Sequence, residues 1–246
     1  MNYELQNAPI INRPEESAAS LQMLDQMLEF KNLLLLYSSA MKMISTRLQI
    51  LDEDYALKNE RNPIHSISSR LKSTASIIDK LERRNLPVTV DSVRENLHDV
   101  AGIRVICSYL DDAYEVSRSI QKQKDITLKS VKDYIAFPKE NGYRSLHLIV
   151  SIPVNLISTV QDVDVEIQIR TIAMDFWASL EHTLKYKKNI RNMDEIVKRL
   201  QFCAENIAEV DLAMMTIRNS IEKDDSPDDI KSQLINRLKK LEKGLS

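Results

Sequence analysis

The chain has 246 residues, with 34 Lys or Arg set against 36 Asp or Glu. That length can bury a core in one elaborated domain or two small ones, and the near balance of charge argues against a general nucleic-acid coat. Cys107 and Cys203 form no CxxC and no disulfide framework, which suits a reducing cytoplasm. The opening Met1-Asn2-Tyr3-Glu4-Leu5 lacks a leader's basic-then-apolar pattern, and no stretch approaches the roughly 20 apolar residues that span a bilayer.

In chain order, residues 1–14 read as a loose arm, with Pro9 and Pro14 limiting regular structure. From about Ser20 to Lys58 the pattern is helical. Leu21, Leu24, Leu28, Leu35 and Met43 fall near helical spacing, while Leu33 to Leu36 is too apolar for a solvated face and predicts packing on both sides or against another subunit. Asn62-Pro63 breaks this helix and residues 64–72 read as extended. Ser73 is placed to cap a helix to about Asn85, which Pro87 ends. A short helix near 91–97 leads to a strand over Gly102–Leu110. Asp111-Asp112 opens a helix over about 112–122. Strands follow near 126–134, over 144–152 and over 161–170, and the remainder to about 243 reads as two or three helices broken at Ser226-Pro227. The expected architecture is α/β of the α+β type. A mixed, largely antiparallel sheet of about five strands is covered by helices.

The central strands carry the chemistry through their period of two. Leu146, Leu148, Val150 and Ile152 share one face; Tyr143, Ser145, His147 and Ser151 point the other way. Likewise Val163, Val165, Ile167 and Ile169 oppose Asp164, Glu166, Gln168 and Arg170. A wet sheet face would explain such alternation by itself. This one, however, gathers carboxylates, an imidazole, an amide and a guanidinium. Between two of these strands lies Tyr134 to His147, a turn in which Gly142 relieves steric strain. It offers cations for phosphate and an aromatic face for a base.

Upstream lies a basic cluster. Arg70 and Lys72 alternate along an extended segment, and Ser76, Lys80 and Arg83 follow on the helix that Ser73 caps. Lys80 and Arg83 share a helix face, with Ile77 and Leu81 turned inward. Free N–H groups at that helix start and several cations suit a polyphosphate, although charge alone also fits a solvated face. No GxxxxGK[ST] occurs. In His98-Asp99-Val100-Ala101-Gly102-Ile103-Arg104, the Arg104 guanidinium among apolar neighbours needs an acid, a phosphate or a ring. Asp99 is placed to hold Mg²⁺, which prefers oxygen ligands. His65, His98, His147 and His182 make no zinc pattern. Trp177 and Phe176 read as core, as do Met23, Met27, Met41, Met43, Met214 and Met215 as helix packing, and Cys107 as a buried small hydrophobe.

These segments, in this order, together with Glu166-Ile167-Gln168-Ile169-Arg170-Thr171 and Met174 to His182, resemble the RelA/SpoT-type (p)ppGpp synthetase domain over roughly residues 60–190. The resemblance implies a stand-alone small alarmone synthetase with a nucleotidyltransferase-like fold. It implies transfer of the β,γ-pyrophosphate of ATP to the ribose 3′-hydroxyl of GDP or GTP, giving AMP and ppGpp or pppGpp. By the same resemblance Arg70, Lys72, Ser76, Lys80 and Arg83 hold the ATP phosphates and Arg104 packs on adenine. Asp99 and Glu166 hold Mg²⁺, and Glu166 also deprotonates the 3′-hydroxyl. Lys139, Asn141 and Tyr143 form the acceptor loop with Tyr143 stacked on guanine, while His147, Gln168 and Lys132 orient the acceptor. An N-terminal arm and oligomerisation helix (1–58), a catalytic domain (59–190) and C-terminal helices (191–246) follow, in a cytoplasmic homo-oligomer, commonly a tetramer. Three other readings are a catalytically silent nucleotide-binding regulator, an enzyme with an adenine-nucleotide acceptor, and a single-stranded RNA binder. The presence of both carboxylates, the loop pattern and the mild acidity respectively weigh against them.

Overall fold

A computed structural model of the chain describes residues 14–59, 61–185 and 192–223. The expected arm before Pro14 and the break at Ser226-Pro227 lie outside the described residues. Helix α1 runs Pro14–Asn59, β1 Ile64–Leu71, α2 Thr74–Arg83, α3 Val90–Asn96 and β2 Ala101–Cys107. There follow α4 Leu110–Gln121, β3 Thr127–Asp133, β4 Leu146–Asn155, β5 Val160–Thr171, α5 Ile172–Lys185 and α6 Met193–Lys223.

The five strands form one sheet in the order β1-β2-β5-β4-β3. Only β2 and β5 run parallel; the other neighbours are antiparallel. This matches the mixed sheet that alternation predicts. Its apolar face is dry: Leu146, Leu148, Val150, Ile152, Val163, Val165, Ile167 and Ile169 are all buried, with Ile103 and Val105 beside them. Helix α1 covers that face, contributing Leu33, Leu36, Tyr37, Ala40, Met41, Ile44 and Leu48, and α4 adds Ala113, Val116 and Ile120.

Several boundaries and faces differ from the expectation. Helix α2 stops at Arg83 because Asn85 takes a left-handed backbone (φ 55°), two residues ahead of Pro87. Strand β2 ends at Cys107 rather than 110, and Leu110 already opens α4. In α1 the predicted stripe of Leu21, Leu24, Leu28 and Leu35 is exposed, as are Met23 and Met27. The buried stripe starts at Leu33 and lies on the opposite side, so the run Leu33–Leu36 packs chiefly through its two ends. Phe176 is exposed, since it points away from the sheet while its neighbour Trp177 turns in, and Met214 is exposed on α6. Cys107 is buried as expected.

Candidate active site

The polar face of the sheet is laid out in two rows set by strand register. Arg70, Gly102 and Glu166 are successive partners across β1, β2 and β5; Ser68, Arg104, Gln168, His147 and Lys132 form the next row across all five strands. Gly102 keeps the floor low between Arg70 and Glu166, and a Cβ there would stand 3.4 Å from the Arg70 carbonyl. A cleft of about 460 Å³ results, lined by Arg70, Lys72, Ser76, Asp99, Arg104 and Glu166 among others. Every expected ATP-side residue except Lys80 and Arg83 faces it. Those two line an adjoining shallow cup with Lys72 and Arg84.

The cationic wall follows from the start of α2. Ser73 caps the helix by accepting from the Ser76 N–H, and the two hydroxyls lie 2.9 Å apart. Asp99 Oδ2 accepts from both Lys72 Nζ and Lys80 Nζ at 2.5 Å. Burial raises the Asp99 carboxyl, but the two ammonium donors outweigh it and hold it below the usual carboxylate range. Lys80 is pushed down by burial despite the same pairing. Arg83 instead pairs with Asp79 one turn back, on an exposed surface. The Arg104 guanidinium, which sequence context requires to have a partner, projects out of the sheet and meets Asp175 of α5 at 3.5 Å.

Glu166 sits in a closed ring of hydrogen bonds. Its Oε2 accepts from Gln168 Nε2 at 2.9 Å and its Oε1 lies 3.3 Å from His147 Nδ1. His147 Nε2 is 2.9 Å from the Tyr143 hydroxyl, and Arg170 Nη2 donates both to that hydroxyl (2.8 Å) and to Gln168 Oε1 (3.1 Å). Because Arg170 can only donate, the ring is satisfied when Tyr143 donates to His147 Nε2 and His147 Nδ1–H donates to Glu166. Burial raises the Glu166 carboxyl and the charge on Asp99 adds to this. The hydrogen bonds from His147 and Gln168 prevail, and Glu166 stays an anion below the usual range. Arg170 is itself buried and anchored by Asp175 at 2.9 Å.

Gly142 takes φ 87°, as the turn chemistry predicts. Lys139 Nζ stands 4.7 Å from the Tyr134 ring centroid and 4.9 Å from that of Tyr143, forming a cation–aromatic cluster beside the ring. Asn141 looks inward: its Oδ1 accepts from the Tyr143 N–H and its Nδ2 donates to buried Glu181. Its side chain therefore shapes the loop, a role the sequence does not reveal. Lys132 lies exposed on edge strand β3, in the same row as His147 but without a bond to the ring.

Arg170 and Asp175 have no role in the sequence reading beyond their place in the motifs, yet they tie the two halves of the site together. Arg170's position on the polar face of β5 is the one signal for it. Asp164 is a second such residue: buried, and shared by His98 Nδ1 (2.8 Å) and Lys129 Nζ (2.6 Å).

A metal ion can be tested against these residues. Asp99 Oδ1 is buried without a hydrogen-bond partner, and Glu166 shares its cleft as a second anionic oxygen donor. Among the described residues no group of three or more His, Cys, Asp or Glu gathers for a metal. The donor set therefore fits a hard cation that takes one or two carboxylates and completes its shell with water and phosphate oxygens.

Comparison with known proteins agrees with this geometry. The family described as "Region found in RelA / SpoT proteins" matches residues 69–191. GTP pyrophosphokinase YwaC of Bacillus subtilis is 43% identical over 194 residues, covering 79% of this chain and 92% of that protein. GTP pyrophosphokinase YjbM of the same organism is 35% identical over 194 residues, covering 79% and 90%. Among solved structures, small alarmone synthetase 1 from B. subtilis bound to its product pppGpp superposes with a TM-score of 0.71 at 35% identity, covering 78% of this chain and 97% of that one. Small alarmone synthetase 2 from B. subtilis gives 0.70 at 42% identity, covering 78% and 99%.

Proposed function

The chain belongs to the RelA/SpoT family, and from that membership we propose how its sheet makes (p)ppGpp. The enzyme transfers pyrophosphate from ATP to the ribose 3′-hydroxyl of GDP or GTP and releases AMP. The observation that carries the assignment of roles is the hydrogen-bonded ring that holds Glu166 anionic between a cationic cleft and an aromatic loop.

ATP lies in the cleft. Arg70, Lys72, Ser76, Lys80 and Arg83 neutralise its phosphates, and Arg104 packs on adenine. Asp175 supports this by holding the Arg104 guanidinium over the cleft. Lys72 and Lys80 leave Asp99 when phosphate arrives, exchanging one anion for another. Asp99 and Glu166 would hold Mg²⁺, which when bound would supply charge neutralisation of the pyrophosphate. The acceptor base stacks on Tyr143, and Lys139 and Lys132 face the acceptor phosphates. Guanine must displace the Lys139 ammonium from beside the ring, freeing it for that task. His147 and Gln168 fix the Glu166 carboxylate so that one oxygen meets the 3′-hydroxyl. As the new 3′-O–P bond forms and the α–β P–O bond of ATP breaks, Glu166 takes the hydroxyl proton.

The same reading extends to assembly and place. The chain forms a homo-oligomer, by resemblance a tetramer, through α1; the exposed Leu21, Leu24 and Leu28 support this. Residues 59–190 are the catalytic unit, preceded by the segment 1–58 that carries the oligomer helix α1 and followed by the segment 191–246 that carries α6. No described helix is long and apolar enough to cross a membrane, and a cytoplasmic location suits the substrates. The test is AMP release by the purified protein with ATP and Mg²⁺. AMP should form with GDP or GTP and not with their 3′-deoxy analogues. Release with ADP but not GDP would point to the adenine acceptor, and no release with either would leave a silent binder.

A further inference from the structure

The family match ends at residue 191, yet the loop that carries Tyr143 is walled by α6, which begins at Met193. A Cβ on Gly142 would fall 2.5 Å from Ala204 Cβ and 3.1 Å from Gln201 Cα, so helix backbone, not a pliable side-chain tip, closes this side of the turn. Beside that contact, Trp177 of α5 and Ala204 are buried together, with Tyr143, Leu200 and Ile207 packed around them. The Trp177 indole N–H donates to the Leu200 carbonyl at 3.0 Å, and its ring centroid lies 6.5 Å from that of Tyr143.

The wall is itself fixed elsewhere. Thr171, at the end of β5, hydrogen bonds to buried Asp211 of α6. Farther along the helix, Arg218 pairs with Asp111 at 2.5 Å and lies 4.7 Å from the Tyr109 ring centroid. Helix α6 is thus clamped to the sheet and to α4 independently of the loop, and the loop rests on it through an alanine and a glycine. Only small residues permit so close an approach.

We propose that α6 is a positioning element of the acceptor-base site and that Ala204 is the residue through which it sets the loop of Tyr143. The proposal rests on the reading of Tyr143 as the platform for the acceptor base. Enlarging residue 204 pushes the Gly142 turn off the helix and carries Tyr143 with it, whereas Ala204 is not among the residues on and around β1, α2, β2 and β5 that line the cleft. Acceptor binding should therefore change while ATP binding does not.

The experiment measures KM for GDP and for ATP in Ala204→Leu, together with the emission of Trp177, the single tryptophan of the chain. The expected result is an acceptor KM raised on the order of tenfold, comparable to losing much of one base-stacking contact, with ATP KM unchanged within about twofold. The emission change on adding GDP should shrink in step. Ala204→Gly opens the contact without any clash and should raise the acceptor KM in the same direction by less, which keeps the test intact if the leucine variant fails to fold. Equal shifts in both KM values, or none in either variant, would overturn the proposal while wild-type transfer leaves the enzymatic reading standing. Absence of wild-type transfer would instead remove the reading beneath it.

Discussion

Replacing Glu166 with Gln tests the role of the hydrogen-bonded ring. The amide is isosteric, so the cleft keeps its shape, but the group can no longer take the 3′-hydroxyl proton. Proton acceptance by a positioned base contributes about 10²–10⁴-fold to a rate, which corresponds to about 3–5 kcal/mol of barrier. Locally, one of the two donors that now meet carboxylate oxygens would face the new NH₂ group. His147 can answer by moving its proton to Nε2 and donating to the Tyr143 hydroxyl, so the cost in stability should stay at about 1 kcal/mol rather than the full price of an unsatisfied donor. Single-turnover transfer with saturating ATP and GDP, alongside calorimetric binding of a non-hydrolysable ATP analogue, separates chemistry from binding. The transfer rate should fall at least about a hundredfold with near-normal affinity for the analogue. A rate within tenfold of wild type would refute the base assignment; loss of analogue binding would show Glu166 to act in holding substrate.

Three further outcomes follow from the geometry. Tyr143→Ala should raise the acceptor KM by the value of one stacked base, about 1–3 kcal/mol, leaving ATP KM unchanged; Tyr143→Phe should retain most of the stacking while breaking the ring at His147 and Arg170, so steady-state kinetics of the pair separate platform from network. Asp99→Asn should abolish transfer and cost about 1–3 kcal/mol of stability at neutral pH. Because the folded Asp99 titrates low, its stabilisation exists above the unfolded carboxylate pKa and disappears as pH falls, so melting curves of variant and wild type should converge in acid. Burial pushes the Asp211 carboxyl up, opposed by the Thr171 hydrogen bond. Its contribution is full below the unfolded pKa and declines as pH rises through the folded value. Asp211→Asn should therefore flatten that decline and stabilise the protein by about 1 kcal/mol at neutral pH; a variant that melts lower at pH 7 would contradict this.

The sheet was legible because alternation in 146–152 and 163–169 is a direct image of one buried and one polar face, and both buried sets are found in the core. The Ser73 cap and the turn at Gly142 were legible for the same reason: each is a local requirement met by one residue type. Helix α1 misled, since its first half carries leucines at helical spacing but extends past the sheet, where the described chain has nothing to cover them. Periodicity reports a face, not a partner. The rest was hidden because it depends on long-range register and rotamers. Nothing near Asn141 announces that its amide is committed to Glu181, nothing near Arg104 names Asp175, and Ala204 reads as an ordinary helical alanine until Gly142 is seen against it.

The most direct test is incubation of the purified protein with Mg²⁺, γ-labelled ATP and either GDP or GTP, followed by nucleotide separation. Label moving into a guanosine tetraphosphate or pentaphosphate, with AMP released in equal amount, is the predicted result. Both nucleotides bound but no label transferred would contradict the account.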